Sequence, residues 1–424
     1  MLFQLRQLTD HTVALHRLAM VEKYEKKRVL LISSWFPEDV GRRTLMSEFA
    51  DAVVAAGHEI DVIAIDWRDV DQTDQPTAIH KNLGMNVYRF KPLLISQPGK
   101  SIRLIAKWIG TSLKAVATTI RLLRRHKYDV IVAHAPSPVW APVLICNLFS
   151  RSKKYLIQWD FVPYHQRAVG MMNGKITFNV LLFLERILVR GFDTIGCMSE
   201  KNIDFLKAHY WLKPSQRIEI LPIWSEPAIT KSVDRAKVRR QHGLALEKKI
   251  AVFGGTLSLG RGLEDIFKVA RLSSEISKNL LFLIVGRGPL ENELRELTKE
   301  MGNLCIMHAL PRDKYQDLLF ACDCGIVATQ KDTGVPTFPS KTMDYFRVGL
   351  PVVASVESST DFGEFLELNS AGMSVLAGDH EALHNAITVL CSDTKMADRF
   401  AKNGRLLLEG YFNVANTVEQ IVRS

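Results

Sequence analysis

The chain has 424 residues, 47% of them apolar and 24% charged, with a formal net charge of +10 at pH 7. That length is more than one hydrophobic core organises, so two domains are expected, and these fractions exclude a disordered or fibrous chain. No segment reaches the roughly 18 uninterrupted apolar residues that cross a bilayer, and the six cysteines form no CxxC pair and have no histidine at zinc-ligand spacing, which points to a reducing compartment and no metal.

Residues 1–27 read as an appended helix, because charges and histidines run through what would be the apolar centre of a signal peptide. The VEKYEKKRVLLISSWFP that follows Met20 is itself a natural start for a domain. Residues 28–222 then alternate strand-like runs with helical periodicity, the pattern of a parallel sheet with crossover helices. RVLLISS leads to a helix around TLMSEFADAVVAAGH, and HEIDVIAID follows. The next loop holds Asp69 and Asp71, a pair also used by metal-dependent sugar transferases, but the polar run around it reads as solvated loop. Between Lys100 and Lys127 there are eight Lys or Arg and no acidic residue, while Ile102, Ile105, Ile109, Leu113, Val116, Ile120 and Leu123 recur at steps of three and four. This basic amphipathic helix either covers a sheet with a solvated cationic back or touches anionic lipid head groups, with Trp108 at the border of its two faces. YDVIVAHA, YLIQWD, the long helix around KITFNVLLFLERILVRG, FDTIGCMS and IEILPI complete the first half.

The boundary is expected between Pro222 and Leu246. Residues 223–395 repeat the alternation and residues 396–424 read as closing helices, so the expected architecture is two doubly wound α/β domains. In open parallel sheets ligands gather beyond the carboxyl ends of the strands. The second half has three loops there: VFGGTLSLGRGLEDIF, with Gly255, Thr256 and Arg261; IVGRGPLENELREL, with Gly286 and Gly288; and VATQKDTGVPTFPSKTMDYF, with Ser340 and Lys341. A helix start offers unpaired N–H groups and partial positive charge, so three such loops, two with a cation, point to a phosphorylated ligand. The first loop lacks the lysine and hydroxyl of a nucleotide triphosphate loop, and GRGPLE lacks the third glycine of the dinucleotide fingerprint. An ATPase and a dinucleotide dehydrogenase are both disfavoured.

In order and spacing, GGTLSLGRGLEDI, IVGRGP, HALPRDKYQDLLFACDCGIVAT and PSKTMDYFRVGLPVVAS resemble the retaining glycosyltransferases of family 4, which have the two-domain GT-B architecture. WFPEDVGRRTLMSEFADAVVAAGHEIDVIA, YDVIVAHAP, QWDFVP and FDTIGCMSEKN extend the resemblance over the first half. The resemblance implies that Arg261 neutralises a nucleotide diphosphate, while Thr256 stands where many relatives carry a second basic residue or an asparagine. The two glutamates of the family fall on Pro336 and Asp344, so Asp344 is expected at the ribose and Asp332 is a candidate substitute for the first. The turn from Thr337 to Lys341 would offer its backbone to sugar and phosphates, His134 would lie near the reacting sugar, Gly41 and Arg42 over the donor phosphates, and Asp160 at the acceptor.

The Pro-Ser-Lys turn resembles a subgroup that builds bacterial surface polysaccharides. The implied function is transfer of a sugar, with retention, from a nucleotide-diphosphate donor, expected to be a UDP-sugar, to a lipid-linked saccharide, without metal or other cofactor. An anionic membrane surface is a candidate partner and the cytoplasm, at the inner face of a membrane, the expected location. A nucleotide-sugar epimerase of the same fold and a non-catalytic nucleotide-binding subunit are the rival readings. Nucleic acid is not expected, because the basic residues lack interleaved aromatics and a recognisable motif.

Overall fold

Val29 to Ser33 are buried in β1 (Arg28–Ser33), and the run is apolar on both sides, as a strand covered by helices above and below requires. The computed structural model describes residues 25–34, 36–37, 44–65, 80–82 (backbone only), 84–91, 110–276, 279–299 and 301–423. Gly41, Arg42, Asp69, Asp71, Trp108 and the extension before residue 25 lie outside these residues.

β1 pairs in parallel with β2 (Glu59–Ile65) on one side and β5 (Val130–His134) on the other. The sheet runs β3 (His80–Asn82), β4 (Met85–Phe90), β2, β1, β5, β6 (Lys153–Ile157), β7 (Thr194–Cys197), β8 (Arg217–Ile220). Every neighbour is parallel except β3, which is antiparallel to β4. The second sheet is wholly parallel, in the order β11 (Leu304–His308), β10 (Leu280–Gly286), β9 (Lys249–Gly254), β12 (Cys324–Ala328), β13 (Val352–Val356), β14 (Gly372–Leu376). The two doubly wound sheets expected from the alternation are therefore present. Strand order reverses between β1 and β5 in one and between β9 and β12 in the other, and a crevice opens at each reversal.

The halves are tied together in two ways. The helix Val414–Arg423 crosses back to pack on the helix Leu45–Ala55 of the first half, and Gln420 donates to Glu219 at 2.7 Å and to the Ile220 carbonyl at 2.9 Å. One apolar cluster also runs through both halves, joining Phe49 and Trp224 to Phe346 and Phe412. Trp224 is fully buried and its indole N–H donates to the Leu45 carbonyl at 2.8 Å, which satisfies the polar end of a large core side chain.

The basic helix differs from expectation. Residues 110–114 are helical, the chain turns at Ala115, and the helix Val116–Arg125 follows. Its buried side is Thr111, Ser112, Ala115, Thr119 and Leu122, while Leu113 is exposed and Val116, Ile120 and Leu123 are half-buried. Small residues win the inward position because they let this segment approach the helix Trp140–Phe149 closely: Ser112 Oγ accepts from the Ala141 N–H at 3.0 Å. Thr119 satisfies its own hydroxyl on the Ala115 carbonyl at 2.8 Å.

Candidate active site

A cleft of ≈ 850 Å³ lies where the two strand-order reversals face each other. Ser33 and Ser34 at the end of β1 and His134 at the end of β5 form one side; Ala328 and Thr329 at the end of β12, with Gly260 and Arg261 in the loop after β9, form the other. The halves touch at its rim. Gly260 has φ +82°, and a Cβ there would lie 2.6 Å from a methyl of Val169, so glycine permits both the turn and the approach.

The second-domain wall is the helix Lys341–Val348. Pro339 leads into it, Ser340 caps none of its first N–H groups with its side chain, and Gly349 ends it in the left-handed region at φ +67°. Tyr345 anchors it to the strand reversal: its buried hydroxyl accepts from the Gly254 N–H at 3.0 Å and lies 3.2 Å from the carbonyls of Val252 and Ile326. Three residues apart on one helix face, Lys341 and Asp344 both reach the cleft.

The Lys341 ammonium is inaccessible to solvent and has no hydrogen-bond partner among the described residues. It lies 3.4 Å from the centre of the Phe253 ring. Burial, and then the neighbouring charge of Arg261, pull its pKa well below the ordinary lysine value. Asp344 is pushed upward by burial, against the opposing pull of Arg312 and Arg347. A buried ammonium next to a guanidinium, with no carboxylate of the described residues paired to either, favours an anion between them.

The first-domain wall carries His134, Trp159, Asp160 and His165. Burial lowers the pKa of His134, with Asp160 opposing, and its Nδ1 has no partner among the described residues. The ring meets Trp159 edge-on at 5.6 Å. His165, in the helix Val162–Ala168, is likewise held down by burial, then raised by Asp160 and lowered by Arg261, so it lies within electrostatic reach of both walls. Behind this wall Glu185 is fully buried, bonded to Ser137, to Tyr210 at 2.9 Å and to Gln158 at 3.3 Å; the same Gln158 amide donates to the Asp160 carbonyl at 2.8 Å. Glu185 thereby ties the loop after His134 to the loop carrying Asp160. Burial pushes its carboxyl up to about 7 against these hydrogen bonds.

The cleft brings together Arg261, Lys341, Ser340 and Asp344 from one half with His134 and Asp160 from the other. Gly255 and Thr256 are exposed just outside it; a Cβ on Gly255 would lie 3.9 Å from Lys341 Nζ, so the lysine reaches the position beside the missing second cation of the loop. Gly286 and Gly288 are not on the cleft wall. A side chain at either would collide with the carbonyl oxygen of Gly255 or Leu257, so these glycines let one loop lie against another. Asp332 does not replace the first glutamate in the cleft: it stands in a left-handed turn, points to solvent and pairs with Lys331 at 3.7 Å. The carbonyl of Pro336, at the glutamate's own position, accepts instead from Asn202 of the first half at 3.2 Å.

Sequence reasoning missed His165, Glu48 and Arg312. Arg312 donates to Glu48 at 3.2 Å across the halves, and Glu48 Oε2 is buried with no hydrogen-bond partner among the described residues. The Asp160–Val162 segment preceding His165 was the one legible signal; nothing local marks the other two.

Two family profiles match the chain: "Glycosyltransferase Family 4" over residues 41–223 and "Glycosyl transferases group 1" over residues 234–407. It is 31% identical over 121 residues to the chitobiosyldiphosphodolichol beta-mannosyltransferase of Dictyostelium discoideum, a match that spans 27% of this chain and only 23% of that relative. Its fold is similar to sucrose-phosphate synthase from Thermosynechococcus elongatus, with TM-score 0.72 and 17% identity over 94% of this chain and 98% of that one. It is also similar to HepE of Anabaena, solved with UDP and glucose, with TM-score 0.65 and 17% identity over 94% and 98% of the two chains.

Proposed function

With each half matching a glycosyltransferase profile, the chain is a glycosyltransferase of the GT-B type, and on that premise we propose that it moves a sugar, with retention at the anomeric carbon, from a UDP-sugar to a lipid-linked saccharide. The observation that carries the donor reading is Lys341: a desolvated, partnerless ammonium beside Arg261, on the wall where two strand reversals meet. Departure of a nucleoside diphosphate builds negative charge on the leaving oxygen. A preorganised pair of cations, Lys341 with a buried ammonium and Arg261 exposed on the cleft loop, stabilises that charge more than it stabilises the bound donor, which is the condition for lowering the barrier. In this reading Arg261 and Lys341 meet the leaving charge without a metal.

His134, kept neutral by burial, has a ring nitrogen free to hydrogen-bond a sugar hydroxyl, and Asp344, on the cleft wall, suits the ribose because a carboxylate accepts from vicinal hydroxyls. Asp160 and His165 flank the first-domain wall and suit the acceptor hydroxyl. A lipid-linked acceptor is supported by the substrate named for the Dictyostelium relative, and the setting, assembly of a bacterial surface polysaccharide, by the Pro-Ser-Lys turn. The test is to incubate the full chain with a panel of nucleotide sugars and follow diphosphate release, with the anomer of the product read by proton NMR. Consumption of one donor with its anomeric configuration kept is the expected result; a panel left intact, with and without lipid-linked saccharide, overturns the reading.

A further inference from the structure

The helix Lys175–Val189 is apolar on two sides. Phe178, Leu182 and Leu188 are buried against the first sheet, with Glu185 among them. On the other side Ile176 is 80% exposed, Val180 60%, Phe183 54% and Ile187 41%. Steps of four, three and four place these on one line along the helix. Trp211, also exposed, meets Phe183 edge-on at 5.7 Å and extends the row sideways, while Arg186 stacks over the Trp211 ring at 5.0 Å. The outward face of a helix on a globular domain is ordinarily polar, and a continuous apolar row of this length marks a surface that meets something.

The charge around the row says what. Residues 110–190 hold twelve Lys or Arg and three acidic residues. Of the three, Glu185 is buried and Asp160 is on the cleft wall, which leaves Asp129, at the amino end of the central strand β5. Lys175 and Arg190 bracket the two ends of the row and are exposed. In the same helical layer the helix Trp140–Phe149 packs against both Lys175–Val189 and Val116–Arg125. It exposes Leu148 and Phe149 at its end, and its neighbour exposes Arg121, Arg124 and Arg125. The row also starts at the cleft: exposed Met171 follows the helix whose His165 and Gln166 line the cavity.

We propose that this helical layer is a docking face for an anionic lipid bilayer, on which Lys175–Val189 lies flat with its apolar row among the head groups and the flanking cations on lipid phosphates. An apolar line with cations of one sign on both flanks is the pattern of an interfacial helix, which draws on apolar burial and on the negative surface potential together. The proposal deepens the reading of a lipid-linked acceptor, because a bilayer held here would present such a substrate at the rim beside His165 and Asp160, and it is tested without any turnover.

The test is co-sedimentation of the full chain with vesicles of phosphatidylcholine containing one part in three phosphatidylglycerol, against vesicles of phosphatidylcholine alone. The chain should sediment with the anionic vesicles, be partly released by salt, and stay in solution with the neutral ones. Ile176→Glu with Val180→Glu, two outward substitutions at residues that do not line the cleft, should weaken this partition about tenfold or more per lost side chain while leaving thermal melting unchanged. No sedimentation with anionic vesicles, or sedimentation that the double substitution leaves intact, overturns the proposal. So does self-association of the unaltered chain through this row, seen by sedimentation velocity and abolished by the same pair. Donor hydrolysis is measured in parallel: vesicle binding without hydrolysis condemns the sugar-transfer reading alone, and hydrolysis without vesicle binding condemns the docking face alone.

Discussion

The Lys341 ammonium lies 3.4 Å from the centre of the Phe253 ring, and no oxygen of the described residues accepts from it. The ring face offsets part of the ammonium's desolvation, but a full charge held this way is one an arriving diphosphate would stabilise.

Nucleotide binding should therefore take up a proton at pH values between the titration of Lys341 in the free protein and its titration in the bound one. Burial and Arg261 lower the Lys341 pKa in the free protein, and a bound diphosphate raises it again, so affinity for UDP should weaken as pH rises through the free-protein value, by at most ~tenfold per pH unit for one group. Calorimetry of UDP binding in buffers of different ionisation enthalpy measures the uptake directly. Lys341→Met should abolish it, and a wild-type chain showing none would remove the argument from Lys341.

Arg261 is exposed on the cleft loop, so Arg261→Ala should leave the fold unchanged. Removal of one transition-state donor costs about 3 to 4 kcal/mol, so turnover should fall at least about a hundredfold. Steady-state kinetics on the donor found active, with melting temperature as the control, decide it; near-normal turnover sinks the assignment.

Glu185 predicts a pH-dependent stability. Its carboxyl keeps its proton up to about 7 in the folded chain, against an ordinary value of 4.5. Between those values the folded state binds more protons than the unfolded one, so stability falls as pH rises across that window, by about 3 kcal/mol in total. Glu185→Gln keeps most of the hydrogen bonding without the charge and should flatten the decline. Melting temperatures of both proteins from acidic to mildly alkaline pH provide the comparison, and equal slopes would refute the assignment.

Arg312 and Glu48 join the halves at 3.2 Å. Arg312→Met leaves the buried Glu48 carboxylate without its hydrogen-bonded cation, with only the more distant pull of Arg347, and should cost about 2 kcal/mol. Adding Glu48→Gln should recover part of that loss, and denaturant unfolding of the two single variants and the double, treated as a cycle, reads the coupling. Additive effects would mean that the contact contributes nothing to stability.

Much of the fold was legible because its signals are local. Apolar runs such as RVLLIS and LLFLIVG, each bounded by a loop and a helix start, became β1 and β10. The site was legible only in part. Arg261 stands in a recognisable loop and Lys341 and Asp344 at a recognisable helix start, but Gly286 and Gly288 carry the same local signature and are used to pack one loop on another. No pattern within a few residues distinguishes a glycine facing a ligand from one facing a neighbouring carbonyl. His165 and Arg312 left still less trace, since an ordinary helix residue becomes a site residue only through what lies opposite.

What the sequence determined by itself is the alternation of strand and helix, the loops at the carboxyl ends of strands and the supply of positive charge, because periodicity, turn chemistry and helix ends act over a few residues. Tertiary structure alone decided which charges share a cavity and which lose their water. It set Lys341 over Phe253 of a distant strand, raised the Glu185 carboxyl behind His134 and Asp160 to about 7, turned the small-residue side of the basic segment inward and left Ile176 and Val180 in solvent. Desolvation and pairing depend on everything within a few ångströms in space, and that neighbourhood is assembled from segments far apart in the chain.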